Sequence, residues 1–456
     1  MRVRPFLLAG LSCSSMALAA PQSTLGTLAD GTPYRIDFPD KWNGALLVGL
    51  DYASRQGPAA DALLARGYAM AGSTRGVTGW AIHKAAANAI ETLDRFEARY
   101  GKVTYPIELG NSQGGHTAAV SMQAYPQRWR GAVVQCGGLA GSVGQWQAKF
   151  DALFVARTLL APASTVPVIG IPQDWKDSAL PAWGALFDAA ERSARGRARI
   201  ALAARIAQLP EWADPNKAVP APGDRVARAA GLADSLVRNL LPQAMSSRAQ
   251  IERLSGGNIT SNTGVDYAAL LAEVDADGLI AALYRDAGIS LADDLALLAK
   301  APRVAADPVA LAYVASGVFD GNLQAPVITL SALGDAISPP ASQQSYAAAV
   351  NTAGKGALLR QVYTASAGHC NFTPSETVAA VGTLMERIVG AHWPATGPED
   401  MNRAAGATGL GPARFAGYVP PRFVRPYGAC ELARALDAEK LAPVRVEGQA
   451  VPACRN

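Results

Sequence analysis

The pattern of apolar and polar residues changes three times along the chain, and its first part alternates between two kinds of segment. Continuous apolar runs, as expected of strands buried on both faces of a parallel sheet, occur at 44–50, 67–74, 105–111 and 131–137. Helically spaced residues fill 81–100 and 113–125. Strands that alternate with helices over short links predict a doubly wound α/β sheet.

The middle of the chain has a different pattern. Residues 140 to about 322 are rich in alanine, leucine and arginine, with helical periodicity and few strand-like runs. Strand–helix alternation then returns, with strands at 325–335 and 357–369 and helices at 340–352 and 375–390. A helical block inserted into an α/β sheet is typical of a cap over the carboxyl ends of the strands, where such sheets bind ligands.

These three changes and the N-terminal signal pattern divide the chain into five predicted regions. The last region is rich in proline and glycine, and we expect it to be irregular. The regions are a signal peptide at 1–20, the N-terminal part of the α/β core at 21–139, a helical cap insertion at 140–322, the C-terminal part of the core at 323–393 and a tail at 394–456.

The N-terminus is typical of a cleaved secretory signal. Arg2 and Arg4 precede a short apolar stretch that closes on "ALAA" (17–20) and is too short for a membrane span. We therefore expect a secreted or periplasmic protein with no membrane span. The chain has 41 Lys and Arg against 37 Asp and Glu and no basic run, so nothing supports nucleic-acid binding.

The stretch "GNSQGG" (110–115) carries the first candidate for chemistry. Gly110-x-Ser112-x-Gly114 follows a buried strand and precedes a helix, which is the context that a nucleophile elbow requires. Such a tight turn lifts the serine Oγ into the cleft, and bulky side chains at 110 or 114 would clash with it. It also leaves the backbone N–H of Gln113 at a helix N-terminus, where it can stabilise an oxyanion. The alternative is an ordinary glycine-rich turn.

A serine nucleophile needs a base, and the base needs a carboxylate that orients it. Of the four histidines, His369 alone ends a late strand, whereas we expect His116, one helical turn after Ser112, to be a packing residue. Asp335 ends the preceding strand, and a plain turn role is its alternative. The chain order Ser112, Asp335, His369, with each residue at a strand end, predicts a catalytic triad.

With these motifs the chain resembles the α/β-hydrolase superfamily. The residues that carry the resemblance are "GNSQGG" (110–115), "LGDAISPP" (333–340) and "AGHCNF" (367–372). The resemblance covers about 24–137 and 325–391. It implies an α/β-hydrolase fold with a mostly parallel central sheet and a large helical cap insertion.

The resemblance also implies a role for each site residue. Ser112 would be the nucleophile, His369 the general base and acid, and Asp335 the carboxylate that orients it. One oxyanion donor would be Gln113, and the second would come from the loop after the strand at 44–50. That loop places the second donor at Leu50 or Asp51. A carboxylate at 51 would be unfavourable beside an oxyanion unless it points away.

Four cysteines remain after removal of the predicted signal: Cys136, Cys370, Cys430 and Cys454. Export to an oxidising compartment favours two disulfides. The residues alone leave three pairings open, and free buried thiols are the alternative. The cysteine spacing fits no zinc site.

The pair His369-Cys370 carries a weaker resemblance to secreted tannase and feruloyl esterase enzymes. In those enzymes the cysteine after the catalytic histidine is disulfide-linked near the nucleophile. Here Asn111, and not cysteine, precedes Ser112. Half of that pattern is therefore missing, but Cys136 ends the strand after the nucleophile's helix, where it is expected near the active site. Our hypothesis is that a Cys136–Cys370 bridge braces the histidine loop by this other route and leaves Cys430 and Cys454 to pair in the tail.

Residues and resemblance together predict a secreted serine hydrolase that cleaves carboxylic ester bonds of a small-molecule or polymeric substrate through an acyl-enzyme. A peptidase on the same fold, or a non-catalytic binding protein that retains the fold, are the alternatives. Triad chemistry needs no cofactor. The sequence has no metal cluster, Walker loop or dinucleotide motif that would predict one.

Overall fold

The computed structural model describes residues 22–54, 56–442 and 452–454, so the predicted signal peptide lies outside the described residues. Within them, nine strands form one sheet. The strands are β1 (Gln22–Thr27), β2 (Pro33–Phe38), β3 (Ala45–Val48), β4 (Ala69–Ser73), β5 (Tyr105–Asn111), β6 (Gly131–Gln135), β7 (Val327–Gly334), β8 (Leu359–Ala367) and β9 (Phe415–Ala416).

The strand order across the sheet is β1-β2-β4-β3-β5-β6-β7-β8-β9. Strands β4, β3, β5, β6, β7 and β8 are parallel to their neighbours in this row. Strands β1, β2 and β9 pair antiparallel. This arrangement is the α/β-hydrolase fold, and the predicted fold class is confirmed.

Sixteen α-helices surround or extend this sheet in the described part of the chain. Those before the helical middle of the chain are α1 (Pro58–Ala65), α2 (Ile82–Tyr100) and α3 (Gln113–Ala124). The middle has α4 (Gly141–Leu160), α5 (Ala179–Glu191), α6 (Ala194–Ile206), α7 (Arg225–Ala233), α8 (Leu241–Ser255), α9 (Tyr267–Val274), α10 (Leu279–Asp286), α11 (Leu291–Lys300) and α12 (Pro308–Val314). The last are α13 (Ala341–Thr352), α14 (Pro374–Gly390), α15 (Pro398–Gly406) and α16 (Ala429–Ala438).

The sheet is buried on both faces, which explains why its strands are apolar without a gap. Successive residues of a strand point to opposite faces. In β3, Leu46 enters a core with α2, α3 and α13, and Leu47 enters a second core with α1, α14 and α15. The strand ends differ from the predicted runs by only a few residues, as β8 shows by ending at Ala367 and not at 369.

Residues 141–317, here called the helical segment, contain α4 to α12 and have a hydrophobic core of their own. Phe150, Trp183, Leu202 and Met245 are among its fully buried members. Between α7 and α8 the helix continues as a π-helix, Asp234–Leu240. The segment leaves the sheet after β6 and returns to it at β7, so it is inserted between two neighbouring strands.

The predicted irregular tail is wrong in one respect, because residues 394–442 contain α15, β9 and α16. Proline and glycine mark the starts of these short helices and do not interrupt them. Pro398 occupies the first turn of α15, and Gly428 is the N-cap of α16, where Glu431 accepts its backbone N–H. Leu432 and Leu436 of α16 pack on the helical segment.

Polar contacts also join the tail to the rest of the molecule. The Arg425 guanidinium donates to Asp151 of α4, with 2.6 Å between Nε and Oδ2. Gln208 of the helical segment donates to the Arg422 carbonyl at 2.8 Å and accepts from the Val424 N–H at 3.0 Å. The tail therefore ties the helical segment to the sheet side of the protein.

Candidate active site

Ser112 lies in a strained turn between β5 and α3. Its φ is +56° and its ψ is −120°, a conformation that costs a non-glycine residue free energy. The turn is fixed because the Ser112 N–H donates to the Gln135 carbonyl of β6 at 2.9 Å, and the His116 N–H donates to the Ser112 carbonyl at 3.0 Å. This is the geometry of a nucleophile elbow.

The glycines around this turn are not equally necessary. A Cβ on Gly110 would lie 2.1 Å from the Gly114 carbonyl oxygen, which no side chain can accept. A Cβ on Gly115 would lie 2.9 Å from the Gln135 carbonyl oxygen, whereas one on Gly114 would meet Leu50 at 3.4 Å, an ordinary contact. The expected clash therefore occurs at 110 but not at 114, and Gly115 replaces Gly114 as the second close approach.

The three predicted triad residues lie in one hydrogen-bonded row at the carboxyl ends of β5, β7 and β8. Ser112 Oγ is 2.7 Å from His369 Nε2. His369 Nδ1 is 2.8 Å from Asp335 Oδ2 and 3.0 Å from Oδ1. With the proton on Nδ1, the imidazole donates to the carboxylate and leaves Nε2 free to accept from the serine hydroxyl.

Asp335 is fully buried and held by its own turn. Its Oδ1 accepts the backbone N–H groups of Ile337 and Ser338, each at 2.9 Å. These two donors stabilise the ionised carboxylate in a place from which water is excluded. The side chain of His369 is 21% exposed, so the row runs from the buried Asp335 towards solvent.

A disulfide joins the histidine loop to the strand next to the nucleophile. Cys370, directly after His369, is bonded to Cys136, directly after β6. Both cysteines have positive φ, +56° and +44°. The second bridge joins Cys430 to Cys454, with a sequence separation of 24 residues against 234 for the first. The structure thus has the two bridges of our hypothesis.

The residues expected at the oxyanion hole lie next to the nucleophile. Gln113 is the first residue of α3, so its N–H has no partner from a preceding helical turn. Leu50 lies next to the elbow, since a Cβ built on Gly114 would be 3.4 Å from the Leu50 Cβ and carbonyl oxygen. Asp51, which follows β3, also has positive φ, +72°. Three strands around Ser112, β3, β6 and β8, are therefore each followed by a residue in a strained conformation: Asp51, Cys136 and Cys370.

Arg75 forms an ion pair with the Asp51 carboxylate, which would otherwise be unfavourable beside an oxyanion. The sequence did not single out Arg75. Its Nε donates to Asp51 Oδ1 at 2.9 Å, and a second nitrogen bonds to Oδ2, so the carboxylate is paired bidentately. A third nitrogen donates to the side-chain oxygen of Gln113 at 2.8 Å. Arg75 follows β4 by two residues, and a lone cation at a strand end was the available signal.

A cavity of about 610 Å³, here called the main cavity, opens at Ser112 and His369. Its lining includes polar side chains, among them Asp51, Arg75 and Asn111. It also includes apolar side chains, namely Leu47, Leu63, Met70, Leu109 and Phe372. The volume and the lining are typical of a site for a small organic molecule.

His116 is buried on the other side of Ser112, against the helical segment. Its Nε2 is 3.2 Å from the Gly317 carbonyl oxygen and its Nδ1 is 3.2 Å from the Gln145 side-chain nitrogen. Burial lowers the pKa of His116 to about 4, so the ring is neutral at physiological pH. These contacts agree with a packing residue, as the sequence suggested.

Among the described residues, one set of three potential metal ligands has its ligand atoms within 4.8 Å of one another, namely Cys136, His369 and Cys370. The two sulfurs are bonded to each other in the disulfide, so they do not offer thiolates to a metal. Within the same part of the chain, no helix has the length and apolar character needed to cross a membrane.

The sheet order, the elbow and the row of serine, histidine and aspartate define a hydrolase of the α/β-hydrolase fold. No protein-family model matches the chain. An o-phthalyl amidase of Xanthobacter agilis is 30% identical over 424 residues, which are 86% of this chain and 93% of the amidase. The chain belongs to the same family as that amidase.

Solved structures with a related fold are more distant. An esterase from Aspergillus oryzae is 13% identical, with a TM-score of 0.39 and coverage of 82% of this chain and 80% of the esterase. Feruloyl esterase B from Aspergillus oryzae is 14% identical, with a TM-score of 0.37 and the same two coverages. Similarity this weak carries no inference about substrate.

Proposed function

We propose that this chain is a secreted serine hydrolase that cleaves carboxylic acid derivatives through an acyl-enzyme. The observation that carries the proposal is the continuous hydrogen-bonded row from Ser112 through His369 to Asp335. A non-catalytic protein has no need to hold a serine at φ +56° within 2.7 Å of an imidazole.

In the proposed reaction, Ser112 Oγ attacks the substrate carbonyl carbon while His369 Nε2 takes the hydroxyl proton. The oxyanion that forms accepts the backbone N–H of Gln113 and a second N–H from the loop at Leu50 and Asp51. His369 then gives its proton to the leaving oxygen or nitrogen, and the acyl-enzyme forms. A water molecule, activated by His369, releases the carboxylic acid and restores Ser112.

Asp335 stays ionised throughout and stabilises the imidazolium of His369 in both tetrahedral steps. The Asp51–Arg75 pair places no net charge beside the oxyanion, because the two unit charges compensate each other. The main cavity is the proposed binding site for the acyl group, and the helical segment is the proposed cap.

Esters are the first candidate substrates, since their leaving groups depart more easily than amines. Amides are the second, and the amidase of Xanthobacter agilis favours them. The two are compared by measuring kcat/KM for p-nitrophenyl esters and for p-nitroanilides with the same acyl group. A ratio that favours the anilide would make the protein an amidase first.

The catalytic proposal is tested with a fluorophosphonate probe on the mature protein. We expect stoichiometric labelling of Ser112, detected by peptide mass spectrometry, and loss of esterase activity in parallel. Ser112→Ala should lose labelling and at least about 10,000-fold in kcat, with an unchanged thermal midpoint. Ser121→Ala, at a buried serine that bonds to Trp129, is the matched control and should retain labelling. Wild-type rates in Ser112→Ala would refute the proposal.

Export is proposed from the N-terminal signal pattern, and the two disulfides fit an extracellular location. Edman sequencing of the protein recovered from periplasm or medium should start at Pro21. An intact residue 1 on active protein would argue against export.

A further inference from the structure

The turn after β3, residues 49–54, is where the proposed reaction takes its second oxyanion donor. The Gly49 N–H donates to a carbonyl of β4 at 2.9 Å, and the Tyr52 N–H donates to the Gly49 carbonyl at 3.3 Å. The N–H groups of Leu50 and Asp51 have no acceptor among the described residues. The turn thus has two unused donors beside the nucleophile, and their effect on an oxyanion depends on how firmly the turn is held.

Tyr52 ties this turn to a strand that is not its neighbour in the sheet. Its side chain is buried and packs in the core with Leu47 and Met70. Its hydroxyl donates to Asp37 Oδ2 of β2 at 2.5 Å. Because the strand order is β2-β4-β3, the side chain must cross β4 to reach that carboxylate. Burial and the neighbouring Asp37 raise the pKa of Tyr52, so the phenol stays protonated and is the donor.

A glycine in β4 makes room for this crossing. A Cβ on Gly72 would lie 1.9 Å from the Gly49 carbonyl oxygen and 2.6 Å from the Tyr52 Cβ. Both of these atoms belong to the turn and not to the far end of a flexible side chain. Any side chain at position 72 would therefore displace the turn itself.

The acceptor of the phenol is fixed in turn by the antiparallel edge of the sheet. Asp37 is fully buried, and its Oδ2 also accepts from Arg35 Nε at 2.6 Å. Its other oxygen accepts from the hydroxyl of Ser23 on β1. A carboxylate with these partners forms a strong, charge-assisted hydrogen bond with the phenol. The turn is thus held on two sides, by this bond and by the ion pair of Asp51 with Arg75.

We infer that Tyr52 is a positioning residue, which holds the turn after β3 so that the N–H of Leu50 or Asp51 points at the oxyanion. The inference rests on the proposed function and makes the edge of the sheet, through Asp37, part of what the reaction depends on. A donor displaced by about 1 Å loses much of its effect on the transition state. Binding of the uncharged ground state should change little, because the oxyanion has not yet formed there.

The test removes only the phenol oxygen. Tyr52→Phe should lower kcat for p-nitrophenyl butyrate by about 10-fold and leave KM within about 2-fold of its wild-type value. The Ki of benzyl trifluoromethyl ketone should rise by a similar factor. Ser112 Oγ adds to the carbonyl carbon of this inhibitor and its proton passes to His369 Nε2, so the former carbonyl oxygen becomes an oxyanion in the same place.

The matched control is Tyr284→Phe in the helical segment. Tyr284 is also buried, and its hydroxyl donates at 3.0 Å to Asp294, a carboxylate that is likewise paired with an arginine. This variant should lose a comparable free energy of unfolding, while kcat and the Ki of the ketone keep their wild-type values. Equal losses of activity in the two variants, or a lower kcat in Tyr52→Phe without a higher Ki, would overturn the inference.

A measurement on the wild type decides the matter even if Tyr52→Phe does not fold. In a crystal structure of the ketone adduct, the hemiketal oxygen should lie about 3 Å from the backbone nitrogen of Leu50 or Asp51. An oxygen that is bonded to neither would overturn the inference. Absence of ketone inhibition and of fluorophosphonate labelling would refute the proposed function itself. Labelling with an unchanged kcat in Tyr52→Phe would refute only the role of Tyr52.

Discussion

Two cations flank Ser112, one from each part of the molecule, and they are held in opposite ways. Arg75 comes from the sheet side, and its charge is cancelled by Asp51. Lys149 comes from the helical segment, and it is buried with one amide oxygen as its hydrogen-bond acceptor. The comparison shows that the sheet side pairs its cation with a carboxylate next to the catalytic groups, whereas the helical segment buries its cation against an amide and an aromatic ring.

The largest expected effect concerns the sheet side. Asp335→Asn should lower kcat by about 10,000-fold, because the amide no longer favours the Nδ1–H tautomer that lets His369 Nε2 accept the serine proton. Stopped assays with the p-nitrophenyl esters measure this loss, and circular dichroism checks the fold. A loss below about 10-fold would mean that the row of hydrogen bonds is not the catalytic one.

The two disulfides allow a matched comparison between the sheet side and the tail. Replacing Cys136 and Cys370 by alanine should lower the free energy of unfolding by about 5 kcal/mol, because this bridge closes a loop of 234 residues. Replacing Cys430 and Cys454 should cost about 3 kcal/mol, because that loop has 24 residues. Denaturant unfolding measures both.

Only the first pair should change catalysis, since Cys370 holds the backbone beside His369. We expect a lower kcat in the Cys136→Ala, Cys370→Ala variant at a temperature where it is fully folded. The Cys430→Ala, Cys454→Ala variant should keep the wild-type kcat. Equal rates in the two variants would show that the histidine loop does not need its bridge.

A third prediction tests whether cancellation of charge is what Arg75 contributes. Arg75→Met should lower kcat/KM for neutral esters by about 10-fold, because the Asp51 carboxylate is then uncompensated near the developing oxyanion. The double variant Arg75→Met, Asp51→Asn should recover most of the rate. If the double variant is as slow as the single one, Arg75 acts through Gln113 and not through Asp51.

The smallest expected effect, about 1 kcal/mol between pH 7 and pH 8, is the dependence of stability on pH at Lys149. The pKa of Lys149 is lowered from 10.5 to about 7 in the folded protein, so between these values the unfolded chain binds more protons. The stability of the wild type should therefore rise with pH relative to Lys149→Met, approaching a slope of about 1.4 kcal/mol per pH unit between these two values and levelling off above pH 10.5. Below pH 7 the difference in stability between the two proteins should no longer depend on pH. If the free energies of unfolding of the wild type and of Lys149→Met changed equally with pH, Lys149 would not be an uncompensated buried cation.

The sequence was sufficient for those parts of the site that depend on local patterns. Ser112, Asp335 and His369 each follow a strand in a short motif, and parallel strands bring their carboxyl ends together. Arg75 also follows a strand, so its position could have been predicted, but its partner could not. The pairing of Arg75 with Asp51 depends on β3 and β4 being neighbours, which no local pattern specifies.

Lys149 had no signal in the sequence. In "GQWQAKFDALF" (144–154) it looks like one residue on the polar face of a helix, yet α4 is buried almost all round. Its burial results from packing with α8 and from the approach of the loop after Asp335, which are contacts far apart in the chain. The helices of the tail were missed for a related reason, since the apolar residues of α16 pack on α4, α8 and α12 and those of α15 pack in the core with α1 and α14.

The contacts between the tail and the helical segment matter for the design of chimeric proteins. Arg425 reaches Asp151, and Gln208 is bonded on both sides of Phe423, so residues 422–438 have evolved contacts with helices that precede them by more than a hundred positions. A chimera that exchanges residues 141–317 alone would bring foreign helices against the native tail. The exchangeable unit is therefore discontinuous, and a graft of new specificity should take both pieces from the same parent.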